Sequence, residues 1–178
     1  MKNCKTILVI IQRSNGDVFL SAALINRLFK FYDSPNIDLL VNTDTFSMAK
    51  LLPHVKNIHQ FSYLEKKNNK FRQEKHLFKS IYRKYDLSIN LTSSDRSVFY
   101  SLIASKNSIS AVEENPSKSW WKKILLYKHY FFDQTQHILI NNLEPLNILG
   151  IKHEKVQDSI QISADAIQSV KKKLARQN

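Results

Sequence analysis

The chain has 178 residues, 43% of them hydrophobic, which suits one domain with a real core and is too short for a large two-domain enzyme. Its single cysteine excludes an internal disulfide framework and suits a reducing compartment, and no window approaches the roughly 20 apolar residues that a membrane span needs. The net charge of +12 implies a positive field that draws anions: nucleic acid, phosphorylated sugars or an anionic membrane face.

The first predicted element is a buried strand over Ile7–Ile11, too short for a secretory signal because it runs directly into Gln12 and Arg13. Arg13, Ser14, Asn15, Gly16 and Asp17 then form a polar turn holding one of only two glycines. Val18, Ala22, Ile25 and Phe29 recur at helical spacing after it, so the turn leads from strand to helix and Asn15-Gly16 does not close a hairpin. Asp17 has two readings. As structure, it or Asn15 caps the helix and complements its dipole. As chemistry, a carboxylate at a strand exit takes a proton from a bound hydroxyl. Spacing alone favours the cap. The turn lacks the Gly-Lys-Ser/Thr ending of a phosphate loop and the three glycines of a dinucleotide fingerprint.

Further strands are predicted at Ile37–Val41, Asn57–Phe61, Leu87–Leu91 and Ser108–Val112. Helical patterns alternate with them over 46–52, 71–82 and 97–104, the first ended by Pro53. Nearly continuous apolar strands alternating with helices predict a Rossmann-like α/β domain, a parallel sheet covered on both faces. Eight basic residues lie between Lys66 and Lys84, either as a solvated helix face or as an anion-binding surface. Residues 120–132 read as an aromatic and basic helix. Its apolar stripe is Trp121, Ile124, Leu125 and Phe132, with Lys122 and Lys123 opposite, and it fits either the sheet or an anionic bilayer. Residues 137–149 give a helix closed by Gly150, in which Pro145 predicts a kink or a split. A last helix is expected over 163–175, capped by Ser163.

Ligands of open α/β sheets collect at the carboxyl ends of the strands, where the strand order reverses. If Ile7–Ile11 is central, the turn from Arg13 to Asp17 and the segment Thr92–Arg96 flank that crevice, and their hydroxyls, amides and arginines suit a polyhydroxylated or phosphorylated ligand. The six histidines show no metal-ligand spacing, and there is no nucleophile elbow of the α/β-hydrolase kind. The sequon at Asn90 reads as accidental, and Cys4 as a small buried residue.

Five segments in order resemble the N-terminal half of glycosyltransferase family 9, the ADP-heptose:lipopolysaccharide heptosyltransferases. They are Ile7-Leu-Val-Ile-Ile with Arg13-Ser-Asn-Gly-Asp-Val-Phe-Leu; Leu52-Pro53-His54-Val55; Tyr85-Asp-Leu-Ser-Ile-Asn-Leu91; Ser94-Asp-Arg-Ser97; and His137 with Leu143 and Leu146 to Ile151. The resemblance implies a GT-B architecture of two Rossmann-like domains, with residues 1–162 as the acceptor-binding domain and 163–178 as a helix leading toward a nucleotide-sugar domain that this sequence lacks. By that likeness Asp17 is the general base, and Arg13, Ser14, Asn15, Gly16, Ser94 and Arg96 bind the acceptor. The implied partners are an ADP-sugar donor and a lipid A–core oligosaccharide on the cytoplasmic leaflet of a Gram-negative inner membrane, touched by Trp120, Trp121, Lys122 and Lys123. No metal, cofactor or nucleic acid is implied, and a lone acceptor domain is not expected to transfer a sugar. The turn at Gly16 is one residue shorter than the family's usual version. The residues alone leave a different reading open: a stand-alone basic module for an anionic membrane or nucleic acid, though no nucleic-acid motif is present.

Overall fold

A computed structural model of the chain describes residues 4–152, with the backbone alone over 65–71. The helix expected over 163–175 and the boundary at 162 lie outside the described residues. Six parallel strands form one sheet in the order β3-β2-β1-β4-β5-β6. They are β1 (Thr6–Ile11), β2 (Asn36–Asn42), β3 (Val55–Phe61), β4 (Leu87–Asn90), β5 (Ser108–Val112) and β6 (Lys128–Phe131). The central strands are apolar because both faces are covered. Ile7, Val9 and Ile11 enter one core with α2 (Ala22–Phe31) and α7 (Ile138–Leu149), while Leu8 and Ile10 enter the other with α4 (Tyr63–Ile81) and α5 (Asp95–Ala104). Cys4 lies in the first core, where burial foremost, and then Asp86, push its thiol up to about 12.

Three expectations change. The helical pattern after Asp17 is two helices, α1 (Asn15–Leu20) and α2, because buried Ser21 turns its hydroxyl back onto the Val18 carbonyl (2.6 Å). Pro145 does not split α7; it is buried on the helix's core face, and Gly150 ends the helix in the left-handed conformation (φ 71°). The segment 120–132 is not one helix. α6 (Pro116–Leu125) stops where Leu126 becomes extended, and the chain then enters β6, whose Tyr130 turns inward. A short 3₁₀ turn and α3 (Phe46–Ala49) complete the β2–β3 crossover.

Candidate active site

The strand order reverses between β1 and β4, which pair directly, so the exits of these two strands form the crevice. The two exit loops are tied together: the Gln12 backbone N–H donates to Thr92 Oγ1 (3.0 Å). Asn90, closing β4, shapes the second loop. Its amide donates to Thr92 O, Ser97 Oγ and Ser110 Oγ and accepts from Thr92 N–H. The side chain of the sequon asparagine is therefore buried and saturated with bonds.

At the β1 exit, Ser14 is the N-cap of α1 and Asp17 its third residue, in a reciprocal capping box. Asp17 Oδ2 accepts from Ser14 N–H (3.2 Å), Ser14 Oγ (3.0 Å) and Arg13 Nε (3.2 Å). Among the described residues its Oδ1 takes no hydrogen bond, and the side chain keeps 18% of its exposure. One oxygen is anchored and the other is available. Asn142 of α7 buttresses the turn from behind, with its amide 3.5 Å from the Asp17 carbonyl. Asn15 occupies the first position of α1 and is not its cap. Gly16 is the second helical residue and takes no left-handed conformation. A β-carbon there would meet only Ser14 Oγ, at 3.8 Å, so the turn does not require glycine.

The two arginines do not meet across the crevice. Arg13 lies over Phe132, just past β6, with its guanidinium carbon 4.4 Å from the ring centroid. Arg96 lies over Phe61 at the end of β3 (3.8 Å) and donates to the Tyr63 hydroxyl (2.7 Å). Each reaches past two strands, so they bracket the crevice from opposite flanks. Ser94 caps α5, accepting from Ser97 N–H, and its hydroxyl donates to Ser97 Oγ.

Lys122 departs most from expectation. It is fully buried, with Nζ 2.7 Å from Asp95 Oδ1, Glu113 Oε2 and the Ser93 carbonyl. It is no surface cation. The loops bearing Ser93 and Glu113 offer three oxygens, and a buried ammonium must sit among such partners. Trp121 is half-buried against Val98, Val112 and Leu126, whereas Trp120 is exposed.

Several site features escaped sequence reasoning. Beside the crevice, a cavity of about 450 Å³ is lined by residues including Ser93, Glu113, Asn115, Phe132, Asp133 and Thr135. Its far wall follows β6, the strand that the aromatic run concealed. Gln12 is buried with both amide ends unpartnered, and Asn42 Oδ1 and Arg96 Nε are likewise buried without partners. The signal for Gln12 was a polar residue directly closing an apolar strand. Among the described residues no three His, Cys, Asp or Glu side chains converge as metal ligands.

No family model and no curated protein matches the chain. Solved structures do. A family 9 glycosyl transferase from Veillonella parvula superposes with a TM-score of 0.75 at 17% identity, over 99% of this chain and 51% of that one. The E. coli heptosyltransferase WaaC, solved with ADP, gives 0.71 at 13% identity, over 87% and 51%. The E. coli ADP-heptose lipopolysaccharide heptosyltransferase II gives 0.68 at 15% identity, over 96% and 50%. The chain therefore spans about half the length of the structures it matches, and at these identities the likeness is one of fold: a Rossmann-like α/β domain similar to half of a family 9 glycosyltransferase.

Proposed function

We propose that this chain is the acceptor-binding half of an inverting glycosyltransferase similar to the family 9 heptosyltransferases, with Asp17 as its general base. The observation that carries the reading is the Asp17 carboxylate at the β1–β4 switch point, anchored through Oδ2 with Oδ1 left for a ligand. Fold likeness along almost the whole chain supports it.

In this mechanism the acceptor hydroxyl donates its proton to Asp17 Oδ1 as its oxygen attacks the anomeric carbon of the donor sugar. The bond to the nucleoside diphosphate breaks on the opposite face, and the configuration inverts. Ser14 and Arg13 hold the carboxylate through Oδ2, which fixes the direction in which Oδ1 faces. The cavity beside Phe132 is large enough for a sugar unit and offers carboxylates, amides and hydroxyls to it. Arg13 and Arg96 flank the crevice as donors for acidic or phosphorylated groups of a lipid-linked core oligosaccharide. A nucleotide-sugar-binding half, as the resemblance implies, would hold an ADP-sugar across the crevice.

Asp17→Asn in the two-domain enzyme tests the assignment. The amide keeps the cap and loses the base, so turnover is expected to fall by about 10²–10⁴ with the circular dichroism spectrum and acceptor affinity retained. Turnover within a few-fold of the parent would remove Asp17 from the chemistry.

A further inference from the structure

Helix α6 is turned inside out. A surface helix ordinarily buries its apolar stripe and offers its charges to water. Here Ser119 and Lys122 face inward, while Trp120, Ile124 and Leu125 are 61%, 72% and 60% exposed. The cause is Lys122, whose three oxygen partners fix the rotation of the helix and leave the apolar side outward. Tyr127 and Phe131, on the turn and the edge strand that follow, are also exposed and extend the patch.

The segment that carries this patch has charges of one sign. Between Pro116 and Phe131 the sequence has four lysines and no acidic residue. Lys122 is consumed by its ion pairs and Lys128 Nζ donates to the Ile148 carbonyl of α7 (3.4 Å), which leaves Lys118 and Lys123. Lys123 Nζ lies 4.7 Å from the Phe131 ring centroid, and Lys128 Nζ lies 5.8 Å from that of Tyr127. In sequence the nearest carboxylates are Glu113 and Glu114 before the helix and Asp133 after β6, and Lys122 holds Glu113 and Asp95. Among the described residues no helix is long and apolar enough to cross a membrane.

We propose that the outward face of α6, with the edge strand β6, docks this domain on an anionic lipid bilayer. Trp120 sits at the headgroup level, Ile124 and Leu125 enter the acyl boundary, and Lys118 and Lys123 meet lipid phosphates. An apolar patch on a segment whose only charged residues are lysines, in a chain of net charge +12, is complementary to that surface. Lys122 also ties α6 to Ser93 of the β4 exit loop and to Asp95 at the start of α5, so docking would hold the crevice beside the lipid surface. The proposal does not depend on Asp17 or on sugar transfer, and its test uses neither.

The experiment is co-sedimentation of the 178-residue chain with phosphatidylcholine vesicles that contain or lack phosphatidylglycerol, neither carrying a saccharide. The chain is expected to bind the anionic vesicles and to be released by salt. Trp120→Ser with Ile124→Ser should weaken binding by about tenfold or more, and Lys123→Glu by about tenfold. All three positions are solvent-facing or peripheral to the core, so an unchanged melting temperature accompanies each. In Trp121→Phe, Trp120 is the only tryptophan, and brominated lipid is expected to quench it. Failure to bind anionic vesicles, binding indifferent to the Trp120 and Ile124 changes, or an unquenched Trp120 would each overturn the proposal. A dimer that those same changes dissociate, without vesicle binding, would assign the face to a second copy of the chain instead.

Discussion

Both amide ends of Gln12, Asn42 Oδ1 and Arg96 Nε are buried where the fold gives them no partner. Ile11 pairs with Val41 and Asn42 with Phe61, so the exits of β1, β2 and β3 lie side by side, and Arg96 covers Phe61. Side-chain alternation from Ile10 and Leu40 puts Gln12 and Asn42 on the α4/α5 side of the sheet. A buried amide without a hydrogen bond costs about 1–3 kcal/mol, a cost tolerated where a ligand supplies the partner. Gln12→Met keeps the shape and removes both orphan ends. It is expected to raise stability in urea denaturation by about 1 kcal/mol while lowering acceptor affinity. A variant less stable than its parent would show that the amide is bonded in solution. Legibility at this scale was uneven. Asp17 was readable as a carboxylate belonging to the start of the helix because a carboxylate at a strand exit has few roles. Ser14 as the true cap was not, since a Ser, an Asn and an Asp in succession are all competent caps and local geometry chooses among them. The emphasis on Gly16 misread the turn, which takes ordinary helical angles there.

Elements were legible where one period dominated. Five strands came out of the sequence within about two residues; β1, β2, β4 and β5 did so because short, largely apolar runs have little alternative once buried on two faces, whereas β3 is a half-exposed edge strand. β6 did not, because only Tyr130 of its four residues is buried, and its aromatic and basic character continues that of α6. The rotation of α6 was read backwards for a related reason. An apolar stripe is assumed to face the core, yet here the buried ammonium sets the orientation. Lys122→Met is therefore expected to cost about 2–4 kcal/mol, because it leaves the Ser93 carbonyl and Glu113 without their cation, although largely exposed Asp95 rehydrates. Amide exchange over residues 93–97 should quicken with it. Adding Glu113→Gln should recover part of the loss, since it removes the stranded charge. A cost within about 0.5 kcal/mol would mean that packing alone positions α6.

At the scale of the molecule, the two ends of the sheet divide the work. The carboxyl edge holds the buried unpartnered groups, and the amino edge is stitched by carboxylates bonded to neighbouring strands. Asp86 Oδ2 accepts from Lys5 N–H, Thr6 N–H and Thr6 Oγ1, which fastens the start of β1 to the start of β4. Asp38 accepts from the Tyr85 hydroxyl (2.8 Å) and from the Asn57 backbone and side chain, and His59 Nε2 lies 2.9 Å from that hydroxyl. Burial raises the Asp38 carboxyl, but the bonds from His59, Tyr85 and Asn57 outweigh it, and the group sits below the ordinary carboxylate range. A carboxyl lowered on folding contributes stability above its unfolded value, near pH 4, and loses that contribution as pH falls through the folded value. Protonation also raises the positive charge of a chain already at +12, and self-repulsion then acts in the same direction. Denaturation midpoints should therefore fall a little from pH 7 to about 5, as His129, lowered by burial and then by Lys123, takes its proton, and decline further below about 4. Asp38→Asn should cost about 1–2 kcal/mol at pH 7 and progressively less toward pH 3, because the parent loses there what the variant never had. If parent and variant differ by the same amount at both ends of that range, the amino edge is held by the geometry of Asp38 and not by its charge.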